Sequence, residues 1–183
     1  MNARLPVENA DTVSLICALL VRFPEIASVR SMPADGTVQF TFVVRKRLDA
    51  KAKARVIGTV EDHVESFLHL RADASRELRV LCEADRAMTF VHVVRDLDSF
   101  SKDELLMLVS VLCQLFPEAL VRNAAAEEHA DDDLGAQEEL VDYAIEQLRD
   151  PKQSKSLVGF REEKRVLVYF LKSQKKAKAS ARS

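Results

Sequence analysis

The chain has no tryptophan and four glycines in 183 residues, Gly36, Gly58, Gly135 and Gly159. So little glycine excludes a glycine-rich phosphate loop and argues against an all-β fold with many tight turns. Cysteine is scarce and odd in number: Cys17, Cys82 and Cys113 cannot all pair, and none stands at the spacing of a metal knuckle. Each sits in an apolar segment, where a free thiol behaves as a small hydrophobe. A reducing, cytoplasmic compartment is the expectation. The net charge of −2 supplies no global attraction to nucleic acid or to an anionic membrane. The sequence contains no G-x-S-x-G, no Walker sequence, no G-x-G-x-x-G, no H-E-x-x-H and no C-x-x-C. No cofactor and no metal are expected. The apolar run Val13–Val21 is too short to span a bilayer. It also lacks the flanks of a secretory leader, because Glu8 and Asp11 precede it and Arg22 follows it. No membrane association is expected.

What is present is patterning. Phe-Pro-Glu occurs at Phe23–Glu25 and again at Phe116–Glu118, each time after an apolar run and shortly before Val-Arg. The first run follows Asp11, a plausible N-cap, and is apolar nearly all round, through Leu15, Ile16, Leu19, Leu20 and Val21. The second, Leu105–Phe116, follows Ser-Lys-Asp-Glu, a capping box in which Ser101 caps and Glu104 reaches back to its amide. Helices apolar on most sides are expected to be buried on several sides. Helices 12–23 and 102–116 should therefore be the most buried, packed on each other. In each, proline pushes the preceding phenylalanine out of the α region and stops the helix.

Strands follow the first stop at Ile26–Met32 and around Val38–Val44, separated by the turn Pro33-Ala34-Asp35-Gly36. A helix over 49–71 repeats Val56, Ile57, Val60, Val64, Phe67 and Leu68 at three- and four-residue steps, and a hairpin over 77–95 closes the first half. The second half repeats the plan: the helix 102–116, a short strand at Ala119–Asn123, an amphipathic helix over 136–149, and a hairpin from Ser156–Arg161 to Arg165–Lys172. The fold expected is α+β, a tandem pseudo-repeat of αββαββ units in which the second copy lacks one strand. That order equals a ferredoxin-like βαββαβ unit with its first strand moved to the end. The organisation is a lead-in at 1–10, a first repeat at 11–97, a degenerate repeat at 101–172 with an acidic insert at 124–135, and a basic tail at 173–183. The strands around Met88–Val94 and Val166–Leu171 are apolar on both faces, which predicts cover by the other repeat or by a second molecule.

Candidate chemistry is sparse. Glu65 and His69 are four apart on a helix, and His63 faces elsewhere. His92, between Phe90 and Val94, reads as a hydrogen-bonded core histidine. The run Asp131-Asp132-Asp133-Leu134-Gly135 fails as a calcium loop, because aligning Gly135 with the loop glycine puts Ala130 at the first ligand position and Val141 where glutamate is required. Charge is more structured than its total. Arg45, Lys46, Arg47, Lys51, Lys53 and Arg55 give residues 45–55 a net +5, and the tail adds Lys175, Lys176, Lys178 and Arg182. Residues 124–150 carry a net −9. The ten basic residues form a candidate polyanion-binding set. The leading expectation is a non-catalytic cytoplasmic binding protein that self-associates, as a homodimer, or takes a protein partner. The alternatives are an RNA- or ribosome-associated protein using 45–55 and the tail, and an enzyme with a site between the repeats.

Overall fold

The first helix does not wait for Asp11. The computed structural model describes residues 7–75, 77–122, 134–149, 155–162 and 165–171. In it α1 covers Val7–Arg22, so Asp11 lies inside the helix and is not its N-cap. Val7-Glu8-Asn9-Ala10 contain neither glycine nor proline, and nothing stops the helix from running back past Asp11. The chain continues through β1 (Ile26–Met32), β2 (Thr37–Val44), α2 (Ala50–Leu70), β3 (Leu78–Asp85), β4 (Met88–Asp96), α3 (Lys102–Leu115), α4 (Leu134–Leu148), β5 (Leu157–Glu162) and β6 (Arg165–Phe170). The protein is α+β. The six described strands form one antiparallel sheet in the order β3-β4-β2-β1-β5-β6.

Local chemistry sets the boundaries. Pro33–Asp35 form a single 3-10 turn, and Gly36 at φ 64° takes the left-handed conformation that lets β2 start. Asp49 caps α2, its Oδ1 accepting from the Ala52 N–H at 2.7 Å. The ladder slips between Ile26 and Ser28, so Ala27 forms a β-bulge. The bulge lets Ile26 and Val29, three residues apart, both enter the core. The strand expected at Ala119–Asn123 is absent over its described residues. After the turn at Pro117, Leu120 makes one isolated bridge to Val44, held by Arg45 N–H to Ala119 O and Val121 N–H to Val43 O. Both edges of β2 are already paired, with β1 and β4, so only its far end is within reach.

One face of the sheet carries Val29, Val38, Phe40, Phe42, Val80, Val91 and Val93 and is sealed by the helices. As expected, α1 and α3 are the more buried helices over the described residues, but each keeps a narrow exposed strip, Ser14 and Val21 in α1 and Asp103, Leu106, Ser110 and Gln114 in α3. Each buries one stripe, Leu15, Ile16, Leu19 and Leu20 in α1 and Leu105, Leu108, Val111 and Leu112 in α3. Val21 on α1 and Leu106 on α3 face solvent. Nor do the two helices pack chiefly on each other: α1 lies on α4, β1, β5 and β6, while α3 lies on α2. In a two-layer structure a helix on the outside keeps a solvent face whatever its sequence. Of the two apolar strands, β4 is sealed on its helix side, and on the other side it runs from the exposed Met88 through the half-buried Phe90 and His92 to the buried Val94, while β6 is an edge strand among the described residues, partly exposed along its length.

Ser101 caps α3 by accepting from the Glu104 N–H at 3.3 Å, but the Glu104 side chain does not return to the Ser101 amide. It goes instead to Arg95 on β4, accepting from Nε at 2.5 Å and Nη2 at 3.1 Å. Both groups are fully buried. Nη1 of Arg95 also donates to Asp96 Oδ1 at 2.5 Å and to the Glu77 carbonyl at 2.7 Å, and Nη2 to Ser99 Oγ at 3.0 Å. A buried guanidinium needs an anion more than a helix start needs a second cap bond.

Three outcomes follow for stability. Removing one partner of the Arg95–Glu104 pair, by Arg95→Met or Glu104→Leu, should cost about 3–5 kcal/mol in urea unfolding, and the double variant far less than the sum. Hydrogen bonds from Ser99, the Glu77 N–H and Arg95 overcome burial and hold the Asp96 carboxyl far below the usual range. Its contribution is therefore present above the ordinary carboxylate pKa of about 4 and is lost as pH falls. Glu104 titrates the other way, raised by burial against the pull of Arg95. Asp96→Asn should flatten the acid loss of stability measured below about pH 4. Gly159 is a packing glycine: a Cβ there would meet Ile16 Cγ2 at 2.2 Å, whereas at Gly58 on α2 it would meet nothing within 4 Å. Gly159→Ala should destabilise by about 1–3 kcal/mol, and Gly58→Ala should stabilise by about 0.5–1 kcal/mol, both read from thermal melts.

Candidate functional site

The helices leave the second sheet face open. Strand register places one row across it: Leu81, His92, Thr41, Ser28, Phe160 and Leu167, one from each strand. The next row runs Arg79, Val94, Gln39, Arg30, Val158 and Tyr169. The small side chains of Ser28 and Thr41 fall in the middle, and larger ones flank them. The result is a depression of about 550 Å³, walled by Leu81, Phe90 and His92 on one side and by Val158 and Phe160 on the other. It is built from both halves of the chain.

His92 is the best-held polar group in it. Gln39 Nε2 at 3.2 Å and Thr41 Oγ1 at 3.0 Å meet its Nδ1. With the Gln39 amide donating, Nδ1 is the acceptor, and Nε2 carries the proton toward Glu83 Oε2 at 3.8 Å. Phe90 stacks parallel to the imidazole, with ring centroids 6.4 Å apart. Burial lowers the His92 pKa, Glu83 opposes this, and Arg30 adds to it. His92 is thus hydrogen-bonded, as the sequence suggests, but it stands on the open face and not in the helix-covered core.

A hydroxyl, an imidazole and a carboxylate in line resemble a nucleophile, a base and its orienter. Two features weigh against that chemistry. Glu83 is too far for a hydrogen bond to the ring. The depression also lies in mid-sheet, where most backbone N–H groups are committed to the ladders.

The rest of the face is apolar and uncovered. Leu81 and Met88 are 45% exposed and Tyr169 is 52% exposed, with Tyr169 stacked on Phe160 at 5.7 Å between ring centroids. The charges on it are of both signs, Arg30 and Arg79 against Glu83 and Asp85. Alternation in β2 and β4 separates Gln39, Thr41, Phe90 and His92 from the core side. Which residues of other strands join them depends on register, and β1 pairing with β5 has no signature in sequence.

The basic segment lies elsewhere, at the end of the sheet. Arg45, Lys46, Arg47, Lys51 and Arg55 are exposed, and Lys53 is half-buried near Cys82. The buried Thr89 pins the loop, donating to Lys46 O at 2.8 Å and accepting from Leu48 N–H at 3.0 Å. Arg47 turns to the Arg86 carbonyl at 3.1 Å, while Lys46 and Arg55 line a cleft of about 240 Å³ that also holds Glu118. The structure brings these six residues to one end of the sheet. Lys175, Lys176, Lys178 and Arg182 lie outside the described residues, as does nearly all of the acidic insert 124–135.

On α2, Glu65 and His69 are exposed, and His63 Nδ1 donates to the Thr59 carbonyl. Among the described residues no group of three or more His, Cys, Asp and Glu side chains could hold a metal, and no helix is long and apolar enough to cross a membrane. Cys17, Cys82 and Cys113 are free and half-buried, and burial raises the Cys17 and Cys82 thiols. No protein-family model, curated protein or solved structure matches this chain.

The electrostatics of His92 are testable in both directions. By NMR titration its pKa should lie below the ordinary 6.5. Glu83→Gln should lower it further and Arg30→Gln should raise it. Movement the other way in either variant would contradict this geometry.

Proposed function

We propose that this is a non-catalytic cytoplasmic binding protein whose partner is protein, a second copy of the chain included. The observation that carries the reading is the open sheet face, which is apolar, aromatic and of mixed charge. A nucleic-acid platform needs a surplus of cations, and the pairing of Arg30 and Arg79 with Glu83 and Asp85 on this face offers none. Protein interfaces are marked by aromatic and methionine side chains in a surround of both charges. Phe90, Phe160, Tyr169 and Met88 fit that description.

We also read the chain as a tandem duplication. The order β3-β4-β2-β1 in the first half supports a ferredoxin-like unit permuted by one strand. In the second half α3 ends at a second Phe-Pro-Glu stop, and α4 and the hairpin β5–β6 come after it, which supports a degenerate copy.

Affinity capture with the full chain tests the main reading. Proteins recovered with the wild type should be lost with both Leu81→Asp and Phe160→Asp, while thermal melts of the variants stay near the wild type. Recovery unchanged by either variant would remove the open face from the function.

A second reading has one observation behind it. Lys51 and Lys53 stand at the start of α2, which has no acidic residue in its first turn. The helix dipole disfavours cations there, and a sequence that carries such a local cost often does so for a site. That site would take a polyanion such as RNA. Lys51→Glu should stabilise α2 by about 0.3–1 kcal/mol. In fluorescence anisotropy with a single-stranded RNA, Lys51→Glu with Arg55→Glu should weaken binding and flatten its salt dependence. Equal salt slopes for variant and wild type would end this reading.

A further inference from the structure

Among the described residues β6 is a sheet edge, and its composition is unusual. Its residues Val166–Phe170 read Val-Leu-Val-Tyr-Phe, without a charge, proline or glycine. The opposite edge, β3, carries Arg79, Glu83 and Asp85, the kind of charge with which natural edges discourage pairing.

The parity of the β5–β6 ladder says which backbone groups are free. The Leu171 N–H donates to Ser156 O at 2.8 Å, in register with the pairs Tyr169–Val158 and Leu167–Phe160. In an antiparallel ladder alternate residues turn both main-chain groups to the same neighbour. Leu171, Tyr169 and Leu167 therefore point inward to β5. Val166, Val168 and Phe170 point their N–H and C=O groups outward, where β6 has no neighbouring strand among the described residues.

We propose that β6 pairs antiparallel with β6 of a second copy, about a twofold axis through Val168, to form one continuous twelve-stranded sheet. The proposal rests on the self-association included in the reading above and names its surface. Three outward residues centred on Val168 are self-complementary under a twofold, as an isologous contact requires. The register puts Val168 opposite its own copy and Val166 opposite Phe170 on the helix side, with Leu167 opposite Tyr169 on the open side. Every facing pair is apolar, and no like charges meet. The partial exposure of Val166, Val168 and Tyr169 in the single chain is surface that this pairing covers.

The test uses the full chain in sedimentation equilibrium, from micromolar to sub-millimolar concentration. Val168→Pro removes only an outward N–H, a position where an edge strand tolerates proline. It should raise the dimer dissociation constant by at least about tenfold and leave the melting temperature of the monomer near the wild type. Tyr169→Lys, at a site already half in solvent, should do the same and decides the matter if Val168→Pro fails to fold. A wild-type dimer unaffected by these changes would overturn the edge pairing and leave self-association standing by another surface. A wild type that remains monomeric throughout would overturn both.

Discussion

Arg95 is fully buried, and its guanidinium spends five hydrogen bonds on four places in the chain. Glu77 leads into β3, Asp96 ends β4, Ser99 sits in the following loop and Glu104 belongs to the first turn of α3. A guanidinium has five N–H donors in a fixed plane, so meeting all of them fixes these elements relative to one another. If α3 slid by a turn, Glu104 would leave a buried cation without its anion, a loss no apolar contact could replace. A hydrophobic pair in the same space could give similar stability, but it would not distinguish one helix register from the next. The helix layer takes its position from this point. α3 carries α2 with it, and Arg149 at the end of α4 donates to the carbonyls of Leu97 and Phe100 in the same loop.

The sequence carried the elements well and their assembly poorly. Helix stops at Phe-Pro-Glu, the turn at Gly36 and the period-2 strands rest on local chemistry, and the αββαββ order of the first half was legible for that reason. Glu104 was misread because a capping box and a buried ion pair share the same tetrapeptide, and only the neighbourhood of Arg95 separates them. Val21 and Leu106 were misread because apolar residues on every side of a helix do not say which side meets water. The bulge at Ala27 breaks the alternation on which strand faces are read. Gln39, Thr41, Phe90 and His92 alternate with core residues in two strands, but the apolar residues on both faces of β4 hid which side is open. The rest of the candidate site could not be seen, because Ser28, Arg30, Val158 and Phe160 join it only through the pairing of β1 with β5.

All of the packing of this sheet is spent on one side, and that asymmetry shapes what the protein can do. Outside the bulge at Ala27, mid-strand backbone groups are already paired, so the open face offers chiefly side chains. Such a face suits the recognition of shape, apolar area and a few hydrogen bonds. His92 fits this division. Burial and the cation of Arg30 lower its pKa against the pull of Glu83, and Gln39 and Thr41 meet its acceptor nitrogen, so the ring is held in place on the open face.

The two edges then divide the work. β3 closes its end with charge, while β6 ends in apolar side chains on both faces and unspent backbone groups. Tyr169 stands where edge and face meet, stacked on Phe160 at the wall of the depression and one strand from the boundary. A strand added at β6 would therefore do more than hold two copies together. It would set Leu167 of one chain against Tyr169 of the other on the open side, so that the aromatic wall of each depression borders the next. Assembly and recognition would share side chains, and the occupancy of one surface would bear on the other.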